Sequence, residues 1–337
     1  TTADGSSGAF RAGVGKVSAA GTNRLRASLV PMAGLVAVAV LLSPVRRFPL
    51  LAVPFALFLV AFRPRDLFGM ATAAVLLALV FRAGPLDADS GWFMQRGWCL
   101  LAGGLFIGLT ILRRPSGLFD RGLGTVTIAT AGITLAVMLQ PALGRALDGW
   151  MELQIREAAT TAYAILAADP QAASGSLGES VRAAIETWAV FQHDVYPALL
   201  ALATMAALAA CWYFAGRHGE DYENPPPVRE FGFRDELVWI LVAGLMLLVL
   251  PLGAGAFRIG ENATLFMVAL YLARGGAILA WIAAVAATSA WTWVFLAVGA
   301  ELAYPFVFGA ALVIGIGDTW LHLRERMATR LVDRSGR

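Results

Sequence analysis

Long apolar segments separated by short polar loops make up most of this chain. Those that approach about 20 residues are long enough to cross the hydrocarbon core of a bilayer as helices. The pattern therefore predicts an all-α integral membrane protein, a polytopic helical bundle of eight or nine transmembrane segments. The apolar segments are 28–44, 48–62, 67–81, 97–112, 122–140, 196–216, 236–257, 262–288 and 290–317.

The number of crossings stays open between eight and nine. The second and third segments are only about 15 residues long, so one of them is re-entrant in the eight-segment alternative. Arginine-rich loops favour the cytoplasmic side, and this rule predicts a cytoplasmic N-terminus. It also predicts an external region at 141–195, which carries seven acidic residues and three arginines. The basic C-terminal tail favours eight crossings, whereas the apolar pattern counts nine.

Polar composition divides the chain further. Residues 147–166 and 177–191 have apolar positions at helical spacing broken by charges, which predicts external amphipathic helices. Three consecutive prolines indicate an extended cytoplasmic spacer. The predicted parts are a disordered basic tail at 1–27, a six-segment membrane module at 28–216, a Pro-rich loop at 217–235, a three-segment membrane module at 236–317 and a basic tail at 318–337.

Overall composition supports the membrane class and argues against several others. Hydrophobic residues make up 58% of the chain and charged residues 15%, which is more apolar surface than a soluble protein of this length buries. The net charge of +3 gives no case for nucleic-acid binding. Cys99 and Cys211 lack a second cysteine at metal-ligand spacing, and no nucleotide-binding or hydrolase motif is present. We therefore predict no metal, no cofactor and no catalytic residue.

One arginine lies in the middle of an apolar run, in the stretch YLARGGAILAW. If the last two segments form a hairpin that turns near Ser289, Arg274 and Glu301 both lie about 20 Å from the turn. A charge at the centre of a membrane helix costs at least about 2.5 to 3.5 kcal/mol unless it is paired or hydrated. We therefore predict an Arg274–Glu301 ion pair or a shared polar cavity. Two roles stay open: fixing the register of two helices, or binding a polar ligand.

Small residues mark predicted helix-packing faces. Gly275 and Gly276 follow Arg274 directly and would allow close approach of a neighbouring backbone. Small residues four apart predict further packing faces, inside the bundle or toward a partner: Ala33 with Ala37 and Gly104 with Gly108.

Two weaker signals concern acidic residues. Gly315 to Asp318 matches the GxGD pattern of intramembrane aspartyl proteases, but that chemistry needs a second aspartate at the same depth. Because no other aspartate lies inside an apolar segment, Asp318 is predicted to lie near a helix end. His193 and Asp194, with Glu186 about two turns earlier, could contact a metal or an external ligand, although three scattered residues are weak evidence.

The C-terminal half resembles a known family. The features that carry the resemblance are the proline in YPALLALATMAALAACWYFAGR, the segment FGFRDELVW, Asn262 in ENATLFMVALYLARGGAILAW, and VIGIGDTWLHLRER, where Asp318, Trp320 and Arg324 form a GxxDxWxxxR pattern. These features resemble the YybS-like family of predicted bacterial multi-pass membrane proteins. The resemblance implies a location in the bacterial cytoplasmic membrane.

The N-terminal pattern is distantly similar to the substrate-binding S components of energy-coupling-factor transporters. This similarity implies a ligand site near Arg46 and Arg47 and a docking face for a partner protein at Ala33 and Ala37. We therefore expect a non-catalytic component that contacts the lipid bilayer and at least one membrane protein, and that binds a small molecule or takes part in transport. The alternative is an interaction or scaffold subunit of an envelope or cell-wall assembly complex.

Overall fold

The computed structural model describes residues 90–112, 117–168, 175–218, 227–286, 298–299, 302–323 and 326. In this part of the chain, all regular elements are helical. Two short 3-10 turns, Val228–Glu230 and Asp235–Leu237, precede the fifth α-helix. The α-helices are α1 (Ser90–Leu112), α2 (Leu118–Leu139), α3 (Pro141–Ala168), α4 (Gly175–His218), α5 (Val238–Val249), α6 (Ala254–Ala286) and α7 (Tyr304–Leu321).

Four of the described helices contain stretches long and apolar enough to cross a membrane. These stretches are Leu118–Leu139 in α2, Gly178–Tyr213 in α4, Ala254–Ala284 in α6 and Tyr304–Leu321 in α7. The expected all-helical membrane architecture is therefore confirmed for this part of the chain. The count of eight or nine crossings stays a prediction, because the first three apolar segments lie outside the described residues.

The polar junction between two predicted segments is helical in the structure. The sequence pattern placed apolar segments at 236–257 and 262–288, but α5 ends at Val249 and α6 begins at Ala254. Leu250 has a ψ of 134°, the extended conformation that a following proline favours. Gly253 completes the turn with a φ of +96°, a backbone conformation that glycine adopts without steric strain and other residues rarely adopt. The helix α6 begins eight residues before the predicted segment at 262–288. It therefore includes Arg258, which lies between the two predicted segments.

The amphipathic helix expected at 177–191 and the apolar helix expected at 196–216 form one continuous helix. This helix, α4, is 44 residues long and contains Pro197 in its interior. Treating them as separate helices was therefore wrong. A proline normally interrupts a helix because it cannot donate a backbone hydrogen bond. Side chains of α6 bind backbone groups of α4 at this point, as described below.

The described residues form two compact units. The first unit lies within Thr1–Leu143 and Ala203–Pro225, and its described part contains α1, α2 and the second half of α4. Its core contains Phe106, Leu208 and Trp212, with Leu118 packed against them. Within the same unit, Trp98 donates a hydrogen bond from Nε1 to the Thr204 hydroxyl at 3.0 Å.

The second unit lies within Gly144–Leu202 and Pro226–Arg337. Its described part contains nearly all of α3, the first half of α4, and α5, α6 and α7. It thus unites the region predicted to be external with the C-terminal segments. The five-part division expected from composition stays a prediction.

Two glycines bring the backbones of α6 and α7 together within this second unit. A Cβ atom on Gly275 would overlap the carbonyl group of Ala311, and one on Gly315 would overlap the carbonyl oxygen of Tyr271. The two helices therefore run antiparallel with Gly275 beside Ala311, and any larger residue at either glycine would force them apart. A Cβ atom on Gly276 meets nothing within 4 Å, so only the first glycine of the pair makes a close approach among the described residues.

Candidate functional site

The second unit contains two groups of polar side chains, both of which depend on α6. The Arg274 cluster consists of Arg274 with Phe233, Asp235 and Asp318. The Pro197 joint consists of His193, Asp194, Pro197 and Ala198 of α4 with Arg258 and Asn262 of α6. At 1.5 Å per residue, Arg258 and Arg274 are about 24 Å apart along the helix axis.

Arg274 binds two carboxylates and one backbone carbonyl. Its Nε donates to Asp318 Oδ2 at 2.9 Å, and its Nη1 donates to Asp235 Oδ1 at 2.7 Å. The same Nη1 donates to the carbonyl oxygen of Phe233 at 3.4 Å. The Phe233 ring lies over the guanidinium, with its centroid 5.2 Å from Cζ. The arginine thereby joins α6 to the end of α7 and to the segment that leads into α5.

Burial separates the two acidic partners. The side chains of Arg274 and Asp318 are 8% and 5% exposed, whereas that of Asp235 is 43% exposed. Breaking a buried ion pair by removing one partner typically costs about 3 to 5 kcal/mol, because it leaves a desolvated charge without compensation. Losing the bond to Asp318 should therefore destabilise the protein more than losing the bond to Asp235. Solvent screens the charge of Asp235 and weakens its attraction to Arg274.

The end of α7 places Asp318 where Arg274 can reach it. His322 adopts the left-handed conformation, with a φ of 48°, and its N–H donates to the Asp318 carbonyl at 3.1 Å. The other carboxylate oxygen of Asp318 accepts a hydrogen bond from the Leu323 N–H at 2.8 Å. Asp318 thus both terminates its own helix and binds the arginine of another, a double role that fixes the orientation of its carboxylate.

Two buried hydroxyl groups flank this cluster. Neither Tyr271 Oη nor Thr319 Oγ1 has a hydrogen-bond partner among the described residues. Tyr271 lies one turn before Arg274 on α6, and its ring packs against Phe233 with centroids 5.1 Å apart. The apolar contacts of this tyrosine therefore hold its ring in place. Its hydroxyl makes no hydrogen bond to the described residues.

The structure gives Arg274 two carboxylate partners that the sequence did not predict, Asp235 and Asp318. Glu301 lies outside the described residues, so its pairing with Arg274 stays a prediction. The described contacts place Gly275 beside Ala311, which follows Glu301 by ten residues in the sequence. The expected hairpin places Arg274 level with Glu301, whereas in the structure the adjacent Gly275 lies beside Ala311.

At the Pro197 joint, side chains of α6 bind backbone groups of α4. Asn262 Nδ2 donates to the Asp194 carbonyl at 2.9 Å, and its Oδ1 accepts a bond from the Ala198 N–H at 2.9 Å. Arg258 Nη2 lies 3.4 Å from the His193 carbonyl, to which it donates. The sequence indicated Pro197 and Asn262 separately, as family features, but gave no sign that they meet.

Arg258 also connects the joint to α3. Its Nη2 and Nη1 donate to the two carboxylate oxygens of Asp148 at 3.0 and 3.4 Å. The Tyr196 ring lies 5.4 Å from the guanidinium, and the tyrosine hydroxyl donates to Asp148 at 3.3 Å. The side chains of Arg258 and Asp148 are 34% and 43% exposed. This pair is therefore open to solvent, in contrast to Arg274 and Asp318.

His193 and Asp194 contribute side chains at the edge of the same group. His193 Nδ1 lies 3.3 Å from an Asp194 carboxylate oxygen, and both side chains are partly exposed. The described residues contain no group of three potential metal ligands. What the structure brings together is an arginine, a histidine, a tyrosine and two aspartates from three helices.

The remaining residues singled out from the sequence divide into two sets. Trp320 lies exposed near the end of α7. A Cβ atom on Gly104 or Gly108 would meet no atom within 4 Å among the described residues, so their packing role stays a prediction. The other candidates lie outside the described residues: Ala33, Ala37, Arg46, Arg47 and Arg324.

A family profile described as a predicted membrane protein matches residues 32–319 of this chain. The chain belongs to the DUF2232 family. The match extends over most of the sequence and includes both polar groups described above, and it confirms the resemblance to a family of multi-pass membrane proteins. No curated protein and no solved structure matches the chain.

Proposed function

We propose that this DUF2232 protein is a non-catalytic component of the bacterial cytoplasmic membrane that binds a small polar ligand and takes part in transport. The observation that carries the proposal is the group of partly exposed charges beside the Pro197 joint. The charged residues are Arg258, Asp148 and Asp194, from three helices, and Asp194 lies three residues before the interior proline of α4, a candidate membrane-spanning helix.

Two general properties of membrane proteins support this assignment. Ionisable groups in membrane helices are rare, and they mark ligand or ion pathways by default. Transport proteins often bind their ligands where a membrane helix is interrupted, and Pro197 weakens α4 at this point. In the orientation expected from the sequence, residues 141–195 lie outside, so a ligand would approach the Pro197 joint from the external face.

The two polar groups differ in how easily a ligand could compete for them. Arg274 is buried and has three internal acceptors, so an incoming ligand would have to break a desolvated network. Arg258 and Asp148 form a partly exposed pair, a type that contributes only about 0 to 1 kcal/mol to stability. A ligand carboxylate or phosphate could therefore replace Asp148 at little cost, and the arginine fork suits either group. We assign the ligand to Arg258 and a structural role to Arg274.

The proposal is tested by identifying small molecules that copurify with the protein from native membrane. The wild type is compared with Arg258→Gln and with Arg145→Gln, a control that removes an exposed arginine from the same outer region. We expect one non-lipid compound with the wild type and the control, and its loss from Arg258→Gln. Recovery of lipid alone from all three proteins would count against ligand binding.

An interaction subunit is the second candidate, and a different observation favours it. Large apolar side chains are exposed on the two helices of the outer region, Leu153 and Ile165 on α3 and Trp188 and Val190 on α4. The helix α3 is not among the four candidate membrane spans of the described residues, so its exposed side chains suit a protein partner. Loss of a copurifying protein from an Ile165→Ser variant, with small molecules unchanged, would favour this candidate.

A further inference from the structure

The helix α4 lacks one donor at Pro197, and α6 compensates on both sides of it. Proline has no backbone N–H, so the carbonyl of His193, four residues earlier, has no donor from its own helix. Arg258 Nη2 donates to this carbonyl at 3.4 Å. The guanidinium of Arg258 in α6 therefore replaces the missing backbone donor of α4.

Asn262 binds the next pair of backbone groups. The carbonyl of Asp194 and the N–H of Ala198 are four residues apart, which is the pairing of an uninterrupted α-helix. Asn262 donates to the first at 2.9 Å and accepts from the second at 2.9 Å. Its side-chain amide thus bridges the two halves of α4 on either side of Pro197.

An amide side chain carries both groups that this bridge requires. Asparagine and glutamine alone carry a carbonyl acceptor and an NH₂ donor in one planar group. The second N–H of Asn262 Nδ2 donates to the Arg258 carbonyl at 2.8 Å, one turn earlier in α6. Both donors of the amide are therefore used, and its orientation is determined by three backbone groups.

We propose that the Pro197 joint is a hinge in α4, held closed by Asn262 and Arg258. When Asn262 and Arg258 release α4, the His193 carbonyl loses its donor, and the two halves of α4 are connected by a turn that is weakened at Pro197. Release also exposes the polar backbone groups beside the Arg258–Asp148 pair. Arg258 lies one turn from Asn262 and binds Asp148 of α3, so this pair and the hinge are mechanically connected. The hinge does not depend on the proposed ligand.

Hydrogen exchange of the full chain in lipid nanodiscs tests the hinge. In Asn262→Leu, a substitution of similar size without hydrogen bonds, we expect amides in residues 195–202 to exchange about tenfold faster. Thr264→Val is the matched control, since the Thr264 hydroxyl has no partner among the described residues. The control should exchange as the wild type does. Unchanged exchange in Asn262→Leu would overturn the proposal.

A second comparison asks whether Asn262 acts through the proline. In Pro197→Ala the backbone N–H is restored, and His193 regains a donor within α4. Adding Asn262→Leu to this variant should accelerate exchange less than threefold, compared with about tenfold in the proline background. Equal acceleration in both backgrounds would contradict the hinge. Should Asn262→Leu fail to fold, Asn262→Asp, which keeps the acceptor and loses the donors, is compared in the same two backgrounds.

Discussion

Replacing Asp318 by asparagine removes the buried partner of Arg274 without changing the volume of the side chain. The loss of one partner from a buried ion pair costs about 3 to 5 kcal/mol, and we expect the lower end of this range because Arg274 keeps Asp235. The same substitution at the other carboxylate, Asp235→Asn, should lower the free energy of unfolding by about 1 kcal/mol. Asp235 is 43% exposed, so solvent screens its charge.

The assay is unfolding of the purified full chain in mixed micelles, followed by tryptophan fluorescence as denaturing detergent is added. The order of destabilisation should be Asp318→Asn well above Asp235→Asn. In the double variant Arg274→Met with Asp318→Leu, most of the lost stability should return, because apolar residues of similar volume can replace a buried ion pair without net loss.

Two results would refute this reasoning. If Asp235→Asn costs as much as Asp318→Asn, burial does not determine the strength of the two bonds. If the apolar double variant is as unstable as Asp318→Asn, the arginine does more than compensate a buried charge, and a ligand role for the Arg274 cluster returns.

Four further substitutions test other parts of the structure with the same unfolding measurement. Gly275→Ala should destabilise by about 1 to 3 kcal/mol, because the new methyl group overlaps the Ala311 carbonyl, whereas Gly276→Ala, with open space around it, should be neutral or slightly stabilising. Tyr271→Phe should not destabilise, since its buried hydroxyl has no partner among the described residues; a clear loss would reveal a bound group. Arg258→Gln should cost about 1 to 3 kcal/mol, because it removes the donor that binds the His193 carbonyl as well as a partly exposed ion pair.

The hydrophobic pattern was sufficient to predict an all-helical membrane protein, because a membrane helix is recognisable from a single uninterrupted apolar run. The boundaries within the second unit were less predictable. The junction between α5 and α6 depends on Pro251 and Gly253, and the residues that follow it are polar enough to resemble a loop. Tertiary contacts of Arg258 and Asn262 stabilise helix there, and such contacts have no periodic signature in one sequence.

The partners of Arg274 show the same limit at the level of single contacts. Sequence reasoning identified the arginine as needing a carboxylate, because a desolvated charge is costly. To predict which carboxylate binds Arg274, one must know the register of α6 against α7. That register depends on the close approaches at Gly275 and Gly315 rather than on the length of the hairpin. A different choice of turn changes which acidic residue lies level with the arginine.

The Pro197 joint was less accessible still from sequence. Pro197 predicts only that a helix is weakened, and Asn262 predicts only a polar group near the start of an apolar run. Their meeting depends on how α4 packs against α6 within the second unit. The contact is specific because the side-chain amide of Asn262 makes hydrogen bonds to three backbone groups. The spacing of residues along the sequence does not reveal such bonds.

Native mass spectrometry of the intact protein released from its membrane tests the central claim most directly. That claim assigns a small polar ligand to the partly exposed Arg258 and a structural role to the buried Arg274. We expect a bound non-lipid mass on the wild type and on Arg145→Gln, and its absence from Arg258→Gln, which remains folded. A wild-type chain that carries lipid alone, or an Arg258→Gln chain that keeps the same bound mass, would contradict the account.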